Sequence, residues 1–336
     1  MSSHLLRIVC FAVVLLVSAV AGECRTIVDM DGRSVTLPEK ISRIVTLGPV
    51  PVLNGFLFAF GRQQSIVNGL PSELARKFQF VFAPDLAKRP IVQSSASGLA
   101  TEDIIALRPD LVLTMDRATT DKLGSLGLPA VLLKWREPDD IKRLMALLGD
   151  ILDQKSVAAD YVRYFDATLA RIAATLGPVE ASTRPRVLYV NYRRLTQPHR
   201  IAEWWIPHGG GRSLTDDGRD QESVTFSLEQ MIAWDPQVLI VADRGERDLA
   251  MAEPRLRDVA AVRDKRVHVA PAGAHLWANR TIEQPLTVLW AASILHPETF
   301  SRAMLESEMQ SFYDRFFHIS LSKEQLDEIL AGSPGR

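Results

Sequence analysis

The sequence predicts an α/β protein built twice over, with two lobes that each carry a parallel sheet and one long α-helix bridging them. Three observations predict this. Short apolar runs alternate with helical stretches in both halves, the pattern of parallel strands joined by crossover helices. TEDIIALRPDLVLT (Thr101 to Thr114) is echoed by LEQMIAWDPQVLIV (Leu228 to Val241), and aligning Pro109 on Pro236 superposes Glu102 on Glu229 and Ala106 on Ala233. Between the halves, Pro138 to Leu176 carries apolar residues at helical spacing with no strong breaker.

The elements follow in order. MSSHLLR carries one arginine and no acid, and Ile8 to Val20 is an unbroken apolar run, shorter than the roughly 20 residues that span a bilayer. With small residues at Ala19 and Ala21, this predicts a secretory signal over 1–21, cleaved near Ala21. Cys10 leaves with the signal, so mature Cys24 has no intramolecular partner. Lipid anchoring at Cys24 is disfavoured because Glu23 stands where a lipoprotein signal wants a small residue.

TIVDMDGRSVTLP alternates apolar and polar residues around Asp31-Gly32 and predicts a hairpin over 26–38. RIVTL, SIVNG, RPIVQS, DLVLTM and PAVLLKW then read as strands of an N-terminal lobe, 22–137. The connecting helix is expected over 138–177 as one rod of about 39 residues, ~58 Å long, stopped at Gly177-Pro178. Gly149 is its one weak point, and no turn cluster marks a fold-back into two helices. The C-terminal lobe, 178–336, restarts with RVLYVN and continues through a helix at 228–235, QVLIVAD, a helical stretch near 248–263, RVHVAPA and a last helical region. Ser227 with Gln230 predicts a capping box, placing Glu229 in the first turn. In the first copy Ala100 replaces the serine, so Thr101 is expected to cap and Glu102 to sit one position earlier.

A chain of 336 residues with 47% hydrophobic and 24% charged content has material for two cores. A formal charge of −1 with no basic stripe argues against a nucleic-acid partner. There is no GxxxxGK[ST] and no GxGxxG after a strand, so ATP hydrolysis belongs to another protein. HGGG (His208 to Gly211) has no GxSxG elbow beside it and reads as a glycine turn. The histidines lack i, i+4 partners, and only His275 is kept as a ligand contact, with His199, His208, His268, His296 and His318 read as structural. No catalytic residue, metal ligand or cofactor is expected. Asp116, Asp243 and Glu283 have no evident partner for acid–base work, so a binding protein is preferred to an exported enzyme.

In open parallel sheets ligands sit beyond the carboxyl ends of the strands. Here those loops are 48–51, 69–72, 94–97, 115–119 and 135–138 in the first lobe, and 191–205, 243–248 and 273–283 in the second. They supply guanidinium forks for anionic oxygens and indole faces for flat or apolar surface. The candidate ligand contacts are Trp135, Tyr192, Arg193, Trp204 (one of Trp204 and Trp205, since neighbours seldom both face one site), His275, Trp277 and Arg280.

The opening hairpin followed by RIVTLGP, the paired TEDIIALRPDLVLT and SLEQMIAWDPQVLI, and the central helical stretch together resemble the periplasmic solute-binding proteins of ABC importers for iron siderophores, haem and cobalamin. The resemblance runs from Thr26 to about Leu330. It implies two Rossmann-like lobes joined by one long helix, a periplasmic location, and a monomer that carries a metal chelate in the inter-lobe cleft. Ferric siderophore is the first choice of cargo, cobalamin or haem the next, and a nickel, cobalt or zinc species the alternative. It also implies that Glu102 and Glu229 dock on arginines of a dimeric permease served by a separate ATPase.

Overall fold

The computed structural model describes residues 24–94, 98–178, 180 and 182–332. The signal expected over 1–21 and most of the 94–97 loop lie outside the described residues.

The chain opens with the predicted hairpin, β1 (Cys24–Val28) against β2 (Ser34–Pro38). Asp29 ties its turn by accepting from the backbone N–H groups of Asp31 and Arg33, and Gly32 takes the left-handed conformation at φ 78°. The first-lobe sheet is β3 (Ile44–Leu47), β4 (Leu111–Thr114) and β5 (Ala130–Leu132), all parallel. SIVNG adds only a bridge from Ile66 to Ile44, and RPIVQS only one from Gln93 to Leu99. Pro90 has no N–H to donate, and Ile91 points outward at 54% exposure, so that run cannot complete a strand.

Four helices cover this lobe: α1 (Val50–Ala59), α2 (Lys77–Phe82), α3 (Thr101–Ala106) and α4 (Arg117–Ser125). Every residue of α1 is buried, because the second lobe closes over its outer face. A Cβ on Gly55 would meet Ile282 and Ala274 of the second lobe at 3.2 and 3.5 Å.

The single long helix is not present. The stretch is two helices, α5 (Pro138–Ile151) and α6 (Lys155–Leu176), folded back on each other so that Lys142 pairs with Asp166 at 2.5 Å. Asp153 makes the turn at φ 54°, a conformation aspartate tolerates, and the Gln154 N–H bonds back to the Gly149 carbonyl at 2.8 Å. Gly149 is what lets the helices close: a Cβ there would stand 2.8 Å from that of Ala158. The weak point was the crossing point.

The second lobe contains β6 (Arg186–Val190), β7 (Thr196–Gln197), α7 (Ala202–His208), β8 (Arg212–Ser213), β9 (Val224–Thr225), α8 (Leu228–Trp234), β10 (Val238–Val241), α9 (Arg244–Ala252), α10 (Ala260–Arg263) and β11 (Val267–Val269). Its parallel sheet has the order β11-β10-β6-β8, with β7 and β9 as a small antiparallel pair. The helical stretch expected over 248–263 is interrupted at Pro254, where a short 3₁₀ turn separates α9 from α10. The chain ends in α11 (Gln284–Leu295), α12 (Arg302–Phe312), a π-type turn at Tyr313–Phe317 and α13 (Lys323–Leu330). HGGG is the glycine turn after α7, with Gly210 at φ 87° and too close to His296 for any side chain.

One hydrophobic core runs through both lobes. Phe58 and Phe82 of the first lobe pack on the C-terminal turn, Phe82 against Phe317 at 4.8 Å and against Tyr313 at 5.3 Å, and Phe58 against Phe317 at 5.6 Å. Beside them Gln79 is wholly buried and donates to Pro51 of its own lobe at 2.9 Å and to Ala274 of the other at 2.7 Å. The lobes are therefore fused at their base by apolar packing and a satisfied polar crossing.

Candidate functional site

Two cavities are lined by residues of both lobes. The larger, about 870 Å³, is walled by Met30, Met115, Leu133, Trp135, Arg136 and Arg143 on one side and by Glu222 and Arg280 on the other. The smaller, about 330 Å³, runs from Arg136–Pro138 to Arg200, Trp204 and Arg219. A third cavity, about 470 Å³, lies against β11 and is lined only by second-lobe residues, so it belongs to no cleft.

Five guanidinium groups border the cleft: Arg136, Arg143, Arg200, Arg219 and Arg280. Arg219 is held by Glu203 at 3.1 Å and by Gln197 at 2.9 Å, which pins the irregular segment after β8. Arg280 bonds Glu222, whose other oxygen lies 3.1 Å from Nδ1 of His199. Burial works against the charge on Glu222, but the bonds from His199 and Arg280 prevail and hold its carboxyl below the usual range. His275 is neutral at physiological pH. Burial, with smaller effects from Arg76 and His199, lowers its pKa to about 3, and its Nδ1 has no hydrogen-bond partner. Among the described residues no three His, Cys, Asp or Glu side chains converge as a metal site.

The loop bearing His275 and Arg280 is shaped by Glu283. This wholly buried carboxyl accepts from the N–H groups of Ala274 and His275 and from the hydroxyls of Thr281 and Tyr313. Burial nevertheless raises its pKa above the usual carboxylate range. A side chain at Gly273 would collide with it, so that glycine makes the wrap possible.

Of the seven ligand contacts expected from sequence, the structure brings Trp135, Trp204 and Arg280 to the cavities. Trp135 offers only an edge at 3% exposure, its ring packed edge-on against Phe56 at 4.9 Å. Trp204 is half-buried, stacks on Phe165 at 5.8 Å and borders the smaller cavity, whereas Trp205 is sealed in the core with Nε1 donating to Ala278. His275 lines neither cavity.

Three expectations are corrected. Trp277 is fully buried, because its loop folds back under itself with the Trp277 N–H bonded to Pro271. Tyr192 packs on the second lobe's outer core near Glu253 and Arg255. Arg193 is committed to Asp243 at 3.0 Å and Glu246 at 3.5 Å around the start of α9. Neither Tyr192 nor Arg193 lines a cleft cavity. His199, expected to be structural, lines neither cavity but bonds Glu222, which lines the larger one. Arg136, Arg200, Arg219 and Glu222 stand in irregular segments and Arg143 in the second turn of α5, and none of them belongs to a sequence motif.

Outside the cleft, the two echoed helices match position by position. The capping box at Ser227 is formed, with Gln230 N–H to Ser227 Oγ at 3.2 Å and Ser227 N–H to Gln230 Oε1 at 2.8 Å. Thr101 does not cap: Ala100 precedes the helix without a side-chain bond, so Glu102 and Glu229 both occupy the second helical position. Both are exposed. Three residues on, Ile105 and Ile232 are also exposed, at 44% and 36%, while Ile104 and Met231 between them are buried. Each lobe thus displays an acid and an isoleucine on one helical face.

The family profile described as periplasmic binding protein matches residues 82–274. The chain belongs to that family. It is 24% identical to the molybdate-binding protein MolA of Haemophilus influenzae, over 94% of this chain and 96% of that one. A periplasmic solute binding protein from Veillonella parvula is 26% identical, with a TM-score of 0.78 over 92% of this chain and 97% of that one. Helicobacter pylori CeuE with Ni(II) bound shares the fold at a TM-score of 0.75 and 16% identity, over 91% of this chain and 99% of that one. The role of periplasmic binding protein follows from the family, and the two-lobed α/β architecture is shared with these structures. No helix among the described residues is long and apolar enough to cross a membrane.

Proposed function

We propose that this periplasmic binding protein captures a metal in anionic form, a compact oxyanion of the molybdate type, in the cleft between its lobes. The observation that carries this reading is the set of five arginines contributed by both lobes, Arg136 and Arg143 from one side and Arg200, Arg219 and Arg280 from the other, which with Lys134 outnumber the carboxylates Glu137, Asp140, Glu203, Asp216 and Glu222 that line the same cavities. Guanidinium forks match the oxygens of an oxyanion and repel a bare cation. Flat aromatic platforms, which favoured a ferric siderophore, haem or cobalamin, are scarce: Trp277 is sealed away and Trp135 shows an edge. The likeness to a molybdate-binding protein along most of both chains supports the same reading. A ferric siderophore is the second reading, favoured by the roughly 870 Å³ of the larger cavity and by Trp204.

Delivery follows from the resemblance set out above. Glu102 and Glu229 stand exposed at equivalent points of the two lobes and meet arginines on the two halves of a dimeric permease, whose ATPase is a separate protein. The protein acts as a monomer, exported by its signal, and turns over no substrate. The test is elemental analysis, native mass and absorption of protein taken from its own periplasm. Molybdenum or tungsten without an organic component supports the first reading and an iron chromophore the second. A bare divalent cation in stoichiometric amount overturns both.

A further inference from the structure

Arg280 faces the larger cavity, yet its guanidinium is already occupied. Nη2 bonds one carboxylate oxygen of Glu222, and His199 lies 3.1 Å from the other. The three side chains come from separate segments: the stretch between β7 and α7, the stretch between β8 and β9, and the loop between β11 and α11. Two oxygens of one anion, gripped by a guanidinium and an imidazole at the cleft wall, is the arrangement that a bound oxyanion would have.

Glu222 is placed so that it can leave. Its side chain is 43% exposed, against 18% for Arg280, and it stands on a stretch without regular structure just before β9. Arg219, three residues earlier, is anchored on Glu203 and Gln197, and Val224, two residues later, is paired with Gln197. The intervening residues can swing without disturbing either anchor.

We propose that Glu222 is an internal surrogate for the cargo's charge, filling the anion position of the empty cleft and displaced when cargo arrives. The inference rests on the reading that the cargo is anionic. Exchange of one anion for another spares the protein an uncompensated cationic cleft when empty, and weakens binding by the energy of the pair that must be broken. It also sets a threshold. An anion replaces the carboxylate only if it brings comparable charge and at least two acceptor oxygens, so doubly charged oxyanions pass and chloride does not.

The experiment is calorimetric titration of the mature chain and of Glu222→Gln, Glu222→Ala and Arg280→Ala with molybdate, sulfate and an anionic ferric tris-catecholate, in buffers with and without chloride. Both Glu222 variants are expected to bind the anion that the unaltered protein binds at least ten-fold more tightly, and to become sensitive to chloride as a competitor. Arg280→Ala is expected to bind it more weakly. Unchanged or weaker binding by both Glu222 variants, with binding still lost in Arg280→Ala, sinks the surrogate and leaves the anionic cargo standing. Failure of every protein to bind any of the three anions overturns both.

Discussion

Arg43 grips the carbonyl oxygen of Leu107 with two nitrogens, Nε at 2.8 Å and Nη2 at 2.6 Å. In the second lobe Arg186 holds the carbonyl oxygen of Asp235, one position further along the echo, with the same two nitrogens at 3.0 and 2.6 Å. Each arginine stands where a lobe's first parallel strand begins, and each closes the end of an echoed helix whose next turn is made by a left-handed residue, Arg108 and Asp235, both at φ 44°. The residue after the proline completes the knot: Asp110 and Gln237 each accept from the arginine's own N–H at 2.9 Å. The sequence echo therefore records a structural device, a cation at a helix carboxyl end that ties helix to strand. Arg43→Ala and Arg186→Ala are each expected to lower stability by about 1 kcal/mol, read from denaturant midpoints at constant slope. A loss in one lobe only would show that the copies no longer do the same work.

The helices so anchored present Glu102 with Ile105 and Glu229 with Ile232. Glu229 carries its charge readily, its carboxyl lowered by its own backbone N–H and by Ser227. Removing both acids is expected to abolish transport into vesicles carrying the permease and its ATPase, with cargo affinity and melting temperature little changed. Replacing both isoleucines with serine is expected to slow transport without altering its salt dependence. Normal uptake by the acid double variant would return both glutamates to the role of helix starts.

The fused base limits motion. With Phe82, Phe317 and Tyr313 in one cluster and Gln79 bonded across the lobes, closure on cargo requires repacking rather than swinging. The helix pair α5–α6 adds a packed brace in place of the single rod. X-ray scattering curves with and without cargo are expected to coincide within error. A decrease in radius of gyration of several per cent on binding would show that this core parts.

Trp277→Ala is expected to cost about 3–5 kcal/mol of stability, because the indole is wholly buried, and to affect cargo binding only as the loop loosens. Arg280→Ala should do the reverse. Chemical denaturation alongside titration separates the two; equal effects on affinity would mean that the wall at Trp277 opens to the cleft.

The contrast shows what a single sequence carries. The strands around Leu111 and Val238 were legible because a buried parallel strand reads as an apolar run bounded by turns. The fold-back at Asp153 was not, because helical spacing stays in phase across a three-residue turn and one left-handed aspartate leaves no composition signal. Arg280 could be placed from its loop after a strand, but Trp277 in the same loop could not, since an indole serves equally as core or platform. Glu222 had no signal at all: its role exists only through His199 and Arg280, distant in sequence.

Acid sensitivity follows from two histidines that fold in their neutral form. Burial, aided by Arg266, lowers His268 to about 4, and burial lowers His275 to about 3, against an ordinary value of 6.5. For a depressed pKa the stabilisation is fully present above the unfolded value and is lost as pH falls towards the folded one. The window therefore opens near pH 6.5 and runs to about 4 for His268 and about 3 for His275. Within it the unfolded chain binds one more proton per histidine than the folded chain, so each contributes about 1.4 kcal/mol of lost stability per pH unit. Glu283 works in the opposite sense: its raised pKa makes the folded state bind the extra proton, so its contribution declines as pH rises above the ordinary carboxyl value. His268→Gln, on the edge strand and clear of the cleft, isolates one histidine. Between pH 6 and pH 4 its unfolding free energy, measured by denaturant titration at each pH, is expected to fall about 1.4 kcal/mol per unit less steeply than that of the unaltered protein. Parallel curves for the two proteins would mean that His268 titrates in the folded state as it does in the unfolded chain.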